Sequence, residues 1–472
     1  MEPNFGNFHF KRLEILLVVI AAIMLILISY GYFFLVWLTM APMFYIAFLR
    51  NHKETIVYSI MYGIITYVFF FNWINRSELG YIDIIFLAFV FTLHFVLVMT
   101  IVSIFSKKIQ NNFMALLPPV AWLISLWLYS LLPLQIYWMD FAIFYPSMAP
   151  WIWYLGSHGI TFIIILFNSA IAYYFIKPNK YAVAFGVVIL FMIFTSTIYT
   201  TYYSFSEKGD KLKVALLQGN FKNEWEWRQL NAFSLILETY LNMTYEASRE
   251  NPHIIVWPEY ALPEDITKNQ IVFKQLQETA KRLNTTLVIG SLSYVDRRRD
   301  KYKDTAFVFN KYGFSIYEAS IPYFFDEDVV KGDASDIIES DGHKIAIIIC
   351  NEETTNSVAR SHSQKDPQFI VAMSNNQELG RGRLVISQFT KIRAAENAKY
   401  VLRATNDGIT QIVNPLGKVV SSLEEGKRKI LIDKIYFNDY KTFYTKYGNI
   451  LIYLVMIISF MLMLKRGRKW QV

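Results

Sequence analysis

Apolar residues follow two different rhythms along this 472-residue chain. Up to about residue 205 they form long runs separated by short polar breaks. From 206 to 446 they come in short β-branched bursts set between helical patterns, and one last apolar run follows. A membrane-crossing helix needs ~20 mostly apolar residues. Seven runs of about that length precede the middle region, at 12–30, 32–49, 55–73, 81–106, 113–134, 155–176 and 181–203, and an eighth spans 448–464. The first run leads straight into more apolar sequence and lacks a small-residue cleavage site, so it reads as an anchor. The pattern predicts three parts: a seven-helix transmembrane domain over 1–205, a globular domain over 206–446, and a C-terminal transmembrane helix with a basic tail over 447–472.

In the globular part, strands are predicted at 213–217, 253–257, 286–290, 306–310, 344–349, 369–373 and 409–413. Helices are predicted at 224–249, 268–283 and 383–399. Strands and helices interleaved in this way imply an α/β layered fold. No internal repeat or low-complexity tract interrupts it.

Composition supports the division. Charged residues make up only 18% of the chain, against roughly 25% in a soluble protein, and the shortfall lies in the long apolar runs. The net charge of +8 comes mostly from basic residues at the ends of those runs. Lys11, Arg12, Arg50, Lys53, Lys107, Lys108, Lys177, Lys180, Lys465, Arg466, Arg468 and Lys469 all fall on one side if eight helices alternate. The opposite short loops hold Arg76 and almost nothing else basic. The positive-inside rule then places both termini in the cytoplasm and the 204–447 region outside it. No aromatic-interleaved basic patch stands out in the middle region, which argues against a nucleic-acid partner. The 135–154 loop carries Trp138, Tyr145, Trp151, Trp153 and Tyr154. It reads as an interfacial aromatic belt, or alternatively as a rim for lipid entry, with Asp140 solvated.

Three strand ends carry candidate chemistry. Trp257-Pro258-Glu259-Tyr260-Ala261-Leu262-Pro263 follows an apolar strand. A carboxylate fixed there against apolar walls suits general-base work; an ordinary turn carboxylate is the alternative. Cys350 follows five apolar residues and precedes Asn351-Glu352 and a helical stretch. Backbone N–H groups at such a turn favour a thiolate and an oxyanion; an inert buried thiol is the alternative. Ser374-Asn375-Asn376 ends a third strand, as a site wall or as a plain turn. Cys350 is the sole cysteine, so no intrachain disulfide forms. His343 sits at the other end of the same predicted strand, about 20 Å away, which leaves Glu259 as the better base. Neither a metal nor a cofactor is expected: no His/Cys/carboxylate cluster has ligand spacing and no Gly-rich phosphate loop is present.

Taken together these residues resemble apolipoprotein N-acyltransferases, membrane members of the nitrilase superfamily, over nearly the whole chain. The matches are Gln218-Gly219-Asn220, Trp257-Pro258-Glu259 with Ala261-Leu262-Pro263, Cys350 with Glu352, Ser374-Asn375, and Arg403-Ala404-Thr405-Asn406-Asp407-Gly408. The resemblance implies a nitrilase-like αββα sandwich outside the cytoplasm of a multi-pass bacterial inner-membrane protein. It implies acyl transfer from phospholipid to the amine of a diacylglyceryl-cysteine lipoprotein, through a thioester. Cys350 would be the nucleophile and Glu259 the base, with Glu352, Glu327, Asn351, Ser374 and Asn375 in support.

The chain departs from the family at three places. The family triad is Glu-Lys-Cys, and counting back from Glu327 puts Ala319 at the lysine position. Asn351 stands where an aromatic is usual, and Glu378 where a tryptophan is usual. Either Lys303, Lys311 or Lys331 substitutes, or the transfer is slow or altered, or the chain is a degenerate homologue that binds lipid or lipoprotein. An amide or nitrile hydrolase is a further alternative.

Overall fold

A computed structural model describes residues 11–70, 81–108, 111–132, 139–146, 148–202, 211–221, 232–323, 326–376, 379–380 and 382–464. Trp138, Arg76, Glu378, Lys465, Arg466, Arg468 and Lys469 lie outside them. The chain forms two compact units. One comprises Met1–Trp151, Leu155–Thr197 and Asn449–Val472; the other comprises Ile152–Tyr154 and Ile198–Gly448.

The first unit contains α1 (Arg12–Ser29), α2 (Ala41–Leu49), α3 (His52–Phe70), α4 (Tyr81–Lys108), α5 (Leu117–Ser130), most of α6 (Trp151–Ile176) and of α7 (Lys180–Tyr202), and a late helix, Ile450–Leu464. Among the described residues, four are long and apolar enough to cross a membrane: α1, α4, α6 and α7. The expected run at 32–49 is broken. A 3-10 helix, Phe33–Trp37, precedes α2, and Asn168 mends the break. Its Oδ1 accepts the N–H groups of Met40 and Ala41 at 2.9 and 3.0 Å, and its Nδ2 donates to the Val36 carbonyl at 3.0 Å. In apolar surroundings such backbone groups need internal partners. Glu14 is likewise paired, by Arg50 Nε at 2.7 Å and the Tyr58 hydroxyl at 2.6 Å. Asp140 is not solvated as expected. It is only 2% exposed, takes a hydrogen bond from the Thr161 hydroxyl and lies 3.6 Å from His158 Nδ1. The buried 3-10 helix that follows it, Phe141–Phe144, draws it inward.

The second unit is built on two six-stranded sheets. The first holds β1 (Lys211–Gln218), β2 (Ile254–Val256), β3 (Thr286–Asp296), β4 (Lys301–Phe309), β5 (Phe314–Glu318) and β12 (Lys429–Tyr436), in the order β12-β1-β2-β3-β4-β5. The second holds β6 (Ile338–Ser340), β7 (His343–Ile349), β8 (Phe369–Ser374), β9 (Tyr400–Thr405), β10 (Gln411–Val413) and β11 (Val419–Ser422), in the order β11-β10-β9-β8-β7-β6. The runs β1-β2-β3 and β7-β8-β9 are parallel.

Side-chain alternation explains the layering. Val214, Val256, Val288 and Val308 of one sheet meet Ile347, Val371 and Leu402 of the other in a shared core. The intervening Ala215, Ile255, Leu287 and Phe307 face α8 (Ala232–Ser248) and α9 (Gln270–Leu283). Ala346, Ile348, Ile370 and Val401 face α10 (Asn356–Ser363) and α11 (Gly382–Asn397). The layers are helix, sheet, sheet, helix, a nitrilase-like α/β domain. Because central strands are apolar on both faces they read as continuous runs, which is why all seven expected strands contribute to the core. β4 begins earlier than expected, at Lys301, and takes in Lys303 and Asp304.

Candidate active site

The parallel strands of both sheets end along one edge, where hydrogen bonds join them. The Glu259 carboxylate, after β2, accepts the Asn375 N–H, after β8, at 2.5 Å. The Asn220 N–H, after β1, donates to the Asn406 carbonyl, after β9, at 2.8 Å. Carboxyl ends of parallel strands are the usual place for chemistry in α/β folds.

Cys350 follows β7 directly. Ile345, Ile347 and Ile349 face the inter-sheet core, while Ala346 and Ile348 face the helices. Strict alternation would send residue 350 toward the helices as well. Instead Cys350 has φ 51, and its thiol packs against the inter-sheet core. Left-handed backbone costs a non-glycine residue about 1–3 kcal/mol and is often found at functional sites. The turn that follows, Cys350–Glu353, is a 3-10 helix.

The same close fit holds Glu259. A Cβ placed on Gly290 of β3 would lie 2.1 Å from the Pro258 carbonyl oxygen and 2.7 Å from Glu259 Cα. Only glycine lets the Trp257-Pro258-Glu259 turn rest on β3. Glu259 is 4% exposed and stands close enough to the Cys350 thiol for each group to shift the other. Burial, with the Asp304 charge behind it, holds the Glu259 carboxyl well above the ordinary carboxylate range, against the Asn375 N–H and the thiol. Burial also pushes the Cys350 thiol up, aided by Glu259 and Asp304 and opposed by the Asn351 N–H. The charges acting most strongly on the pair are all acidic.

Glu352 is fully buried and does not face the reacting atoms. It accepts from the Tyr317 hydroxyl at 2.7 Å, from Ser320 N and Oγ at 2.7 and 2.6 Å, and from Ile349 N at 3.0 Å. Burial pushes its pKa up, and these donors oppose the shift. It ties the chain after β5 to the Cys350 turn. Asn351 donates weakly to the Pro322 carbonyl at 3.4 Å, while its backbone N–H opposes the rise in the thiol's pKa. The Ser374 hydroxyl donates to Glu353 at 3.1 Å, and Asn375 offers its N–H to Glu259. Glu327 is exposed. Its neighbour Asp326 is the acid whose charge acts on Glu259.

Ala319 follows β5 and is buried beside β4. Lys303 points to the opposite face of β4, where it pairs with Glu318 at 3.0 Å and Asp333 at 2.8 Å. Lys311 sits at the β4–β5 turn with Asn284, 3.4 Å away. Lys331 is exposed.

Sequence reasoning missed Asp304, Tyr317 and Glu353 as parts of this edge, and marked Arg403 only as part of a matching motif. Glu353 is buried against Arg403 Nε at 2.8 Å, and Arg403 reaches on to Asn376 Oδ1 at 2.6 Å. Polar residues at positions of core parity, Asp304 among Ala306 and Val308, were the available signal. Among the described residues, no group of three or more His, Cys, Asp or Glu side chains is placed to hold a metal ion.

A thiol on a left-handed strand end beside a buried carboxyl from the facing sheet fits a domain of the carbon-nitrogen hydrolase class. Residues 213–444 match the carbon-nitrogen hydrolase family, and residues 19–170 match the apolipoprotein N-acyltransferase N-terminal domain. The chain is 25% identical over 398 residues to the apolipoprotein N-acyltransferase of Wigglesworthia glossinidia brevipalpis, covering 76% of each. It is 22% identical over 491 residues to that of Pasteurella multocida, covering 93% of this chain and 91% of that protein. The crystal structure of a carbon-nitrogen hydrolase from Helicobacter pylori G27 aligns with 54% of this chain and 99% of its own, at 15% identity and a TM-score of 0.41. With both domain types in the family's order, the chain belongs to the apolipoprotein N-acyltransferases.

Proposed function

We propose that the chain moves an acyl group from phospholipid to the N-terminal amine of diacylglyceryl-cysteine lipoproteins, through a thioester on Cys350. The observation that carries this is the sole cysteine of the chain, held on a left-handed strand end beside the buried Glu259 carboxyl that acts on it. Glu259 takes the thiol proton as sulfur attacks the ester carbonyl. The Asn351 N–H stabilises the charge that develops on the attacked carbonyl oxygen. The lysolipid oxygen leaves with the proton from Glu259. The acceptor amine then attacks the thioester, Glu259 takes its proton, and the thiolate is released and reprotonated.

We further propose seven N-terminal transmembrane helices and one C-terminal helix, with the catalytic domain at 206–446 and boundaries at 205 and 446. Both termini lie in the cytoplasm and the domain faces outward from a bacterial inner membrane. Positive-inside loop charges support this orientation, and the four long apolar helices agree with a membrane unit. The partners are a phospholipid donor and a lipoprotein acceptor in the membrane. Glu352, Ser374 and Asn375 act as positioning residues.

A catalytically silent lipid- or lipoprotein-binding protein is the competing reading, favoured by Ala319. Intact mass separates the two. After incubation with phospholipid, the protein gains an acyl mass that hydroxylamine removes and Cys350→Ala lacks. A folded, lipid-loaded sample without that adduct sinks the thioester and leaves the silent binder.

A further inference from the structure

Beside Cys350 stands a side chain that these steps leave unused. Asp304 of β4 is 5% exposed, and its Oδ1 accepts no hydrogen bond among the described residues. It lies on the inter-sheet face, two residues before Ala306. The Ala319 N–H donates to its carbonyl at 2.9 Å, so the two side chains share that face and a methyl group is all that Ala319 offers it.

Among the described residues, the groups that act on Asp304 or on its neighbours Glu259 and Cys350 are Tyr260, Tyr302, Asp326, Glu352 and those two themselves. None is basic. Burial, with Asp326 and Glu352 behind it and Tyr260 opposing, pushes Asp304 up to about 7. The rings of Tyr260 and Tyr302 meet edge to face, with centroids 6.0 Å apart, and both side chains are part-exposed.

Buried carboxylate oxygens beside aromatic rings suit one kind of guest. Carboxylates give an ammonium charge-assisted hydrogen bonds, and ring faces give cation–π attraction. We propose that Asp304, with Glu259 and the Tyr260 and Tyr302 rings, binds one primary ammonium group beside Cys350, and that this guest supplies a positive charge that the described side chains around the pair do not. The guest favours the thiolate, so the thiol becomes reactive when the amine is present. The natural source is a headgroup amine of the donor lipid or the α-amine of the acceptor; only this assignment rests on the acyl-transfer reading.

The test uses the full chain in detergent and the rate at which iodoacetamide alkylates Cys350 at pH 7, read by intact mass. Methylammonium is expected to raise that rate saturably by about tenfold, the effect of one pKa unit, while sodium at equal ionic strength does not. Asp304→Asn is expected to lose the dependence. Ala319→Lys is expected to react fast without methylammonium and to gain nothing from it. No saturable acceleration in the wild type, or the same acceleration in Asp304→Asn, overturns the proposal; these two proteins decide the matter even if Ala319→Lys does not fold. Ether-linked phospholipids, which cannot donate an acyl group, identify the source. Acceleration by an ethanolamine headgroup but not by a glycerol headgroup marks the donor, and acceleration by a diacylglyceryl-cysteine peptide alone marks the acceptor. Alkylation needs no acyl transfer, so loss of the thioester with methylammonium dependence intact removes the enzymatic reading and leaves this site standing.

Discussion

The Glu259 carboxylate receives the backbone N–H of Asn375 at 2.5 Å, across the seam between two sheets. The base therefore keeps its place relative to both β2 and β8, and it reaches the thiol after β7 from the facing sheet.

Glu259→Gln tests that base. The glutamine Oε1 can still accept the Asn375 N–H, so the thermal midpoint should move by only a few degrees. It cannot take the thiol proton at neutral pH. Thioester formation, followed by mass, should fall ~10²–10⁴-fold, the usual worth of a general base. A loss below tenfold would show that another group takes the proton.

Gly290→Ala tests the close approach of β3 to the Pro258-Glu259 turn. The added methyl meets backbone atoms at 2.1 and 2.7 Å, which cannot rotate away. Overpacking of this kind costs about 1–3 kcal/mol. The expected outcome is a modest drop in thermal midpoint with a much larger loss of Cys350 acylation. Unchanged acylation would show that Glu259 does not depend on this contact.

Glu352→Ala removes the acceptor for four donors from Tyr317, Ser320 and Ile349. Leaving buried donors unpaired costs ~1–3 kcal/mol each, so the α/β unit should lose several kcal/mol in denaturant titration. Glu352→Gln, which keeps an acceptor oxygen, should lose less. Equal losses in the two variants would assign the role to charge.

The fourth prediction concerns pH. Asp304 binds its proton more tightly when folded, near 7 rather than its ordinary 3.8. The stability this contributes is full below the unfolded value and is lost as pH rises through the folded one. Asp304→Asn has no proton to lose. The difference in thermal midpoint between variant and wild type should therefore grow in favour of the variant from about pH 4 to pH 7 and level off above. A difference flat with pH would place Asp304 in the ordinary carboxylate range.

Much of this was legible in the sequence, because core strands of a layered α/β domain are apolar on both faces and stand out as runs. Glu259, Cys350 and Asn375 were legible for a related reason: each follows such a run directly. The edge strands Phe314–Glu318, Ile338–Ser340 and Val419–Ser422 were not, since short half-exposed strands carry little pattern. β9 was hidden by Arg403, whose charge reads as surface until Glu353 is seen to neutralise it. The break before α2 was illegible too: apolar composition reports a run's length, but not whether Asn168, 128 residues away from Met40, mends a gap in it.

β4 carries Ala306 and Val308 toward one core and Phe307 and Phe309 toward another. Hydrophobicity therefore does little to choose between its two possible registers. What distinguishes them is the neighbouring pair Lys303 and Asp304. The outward ion pair of Lys303 with Glu318 and Asp333 acts as a polarity key, locking the acid inward. A slip of one residue would present an amine to the thiol in place of a carboxyl. The charge character of the reaction centre is thus set by strand alignment as much as by which residues the strand contains.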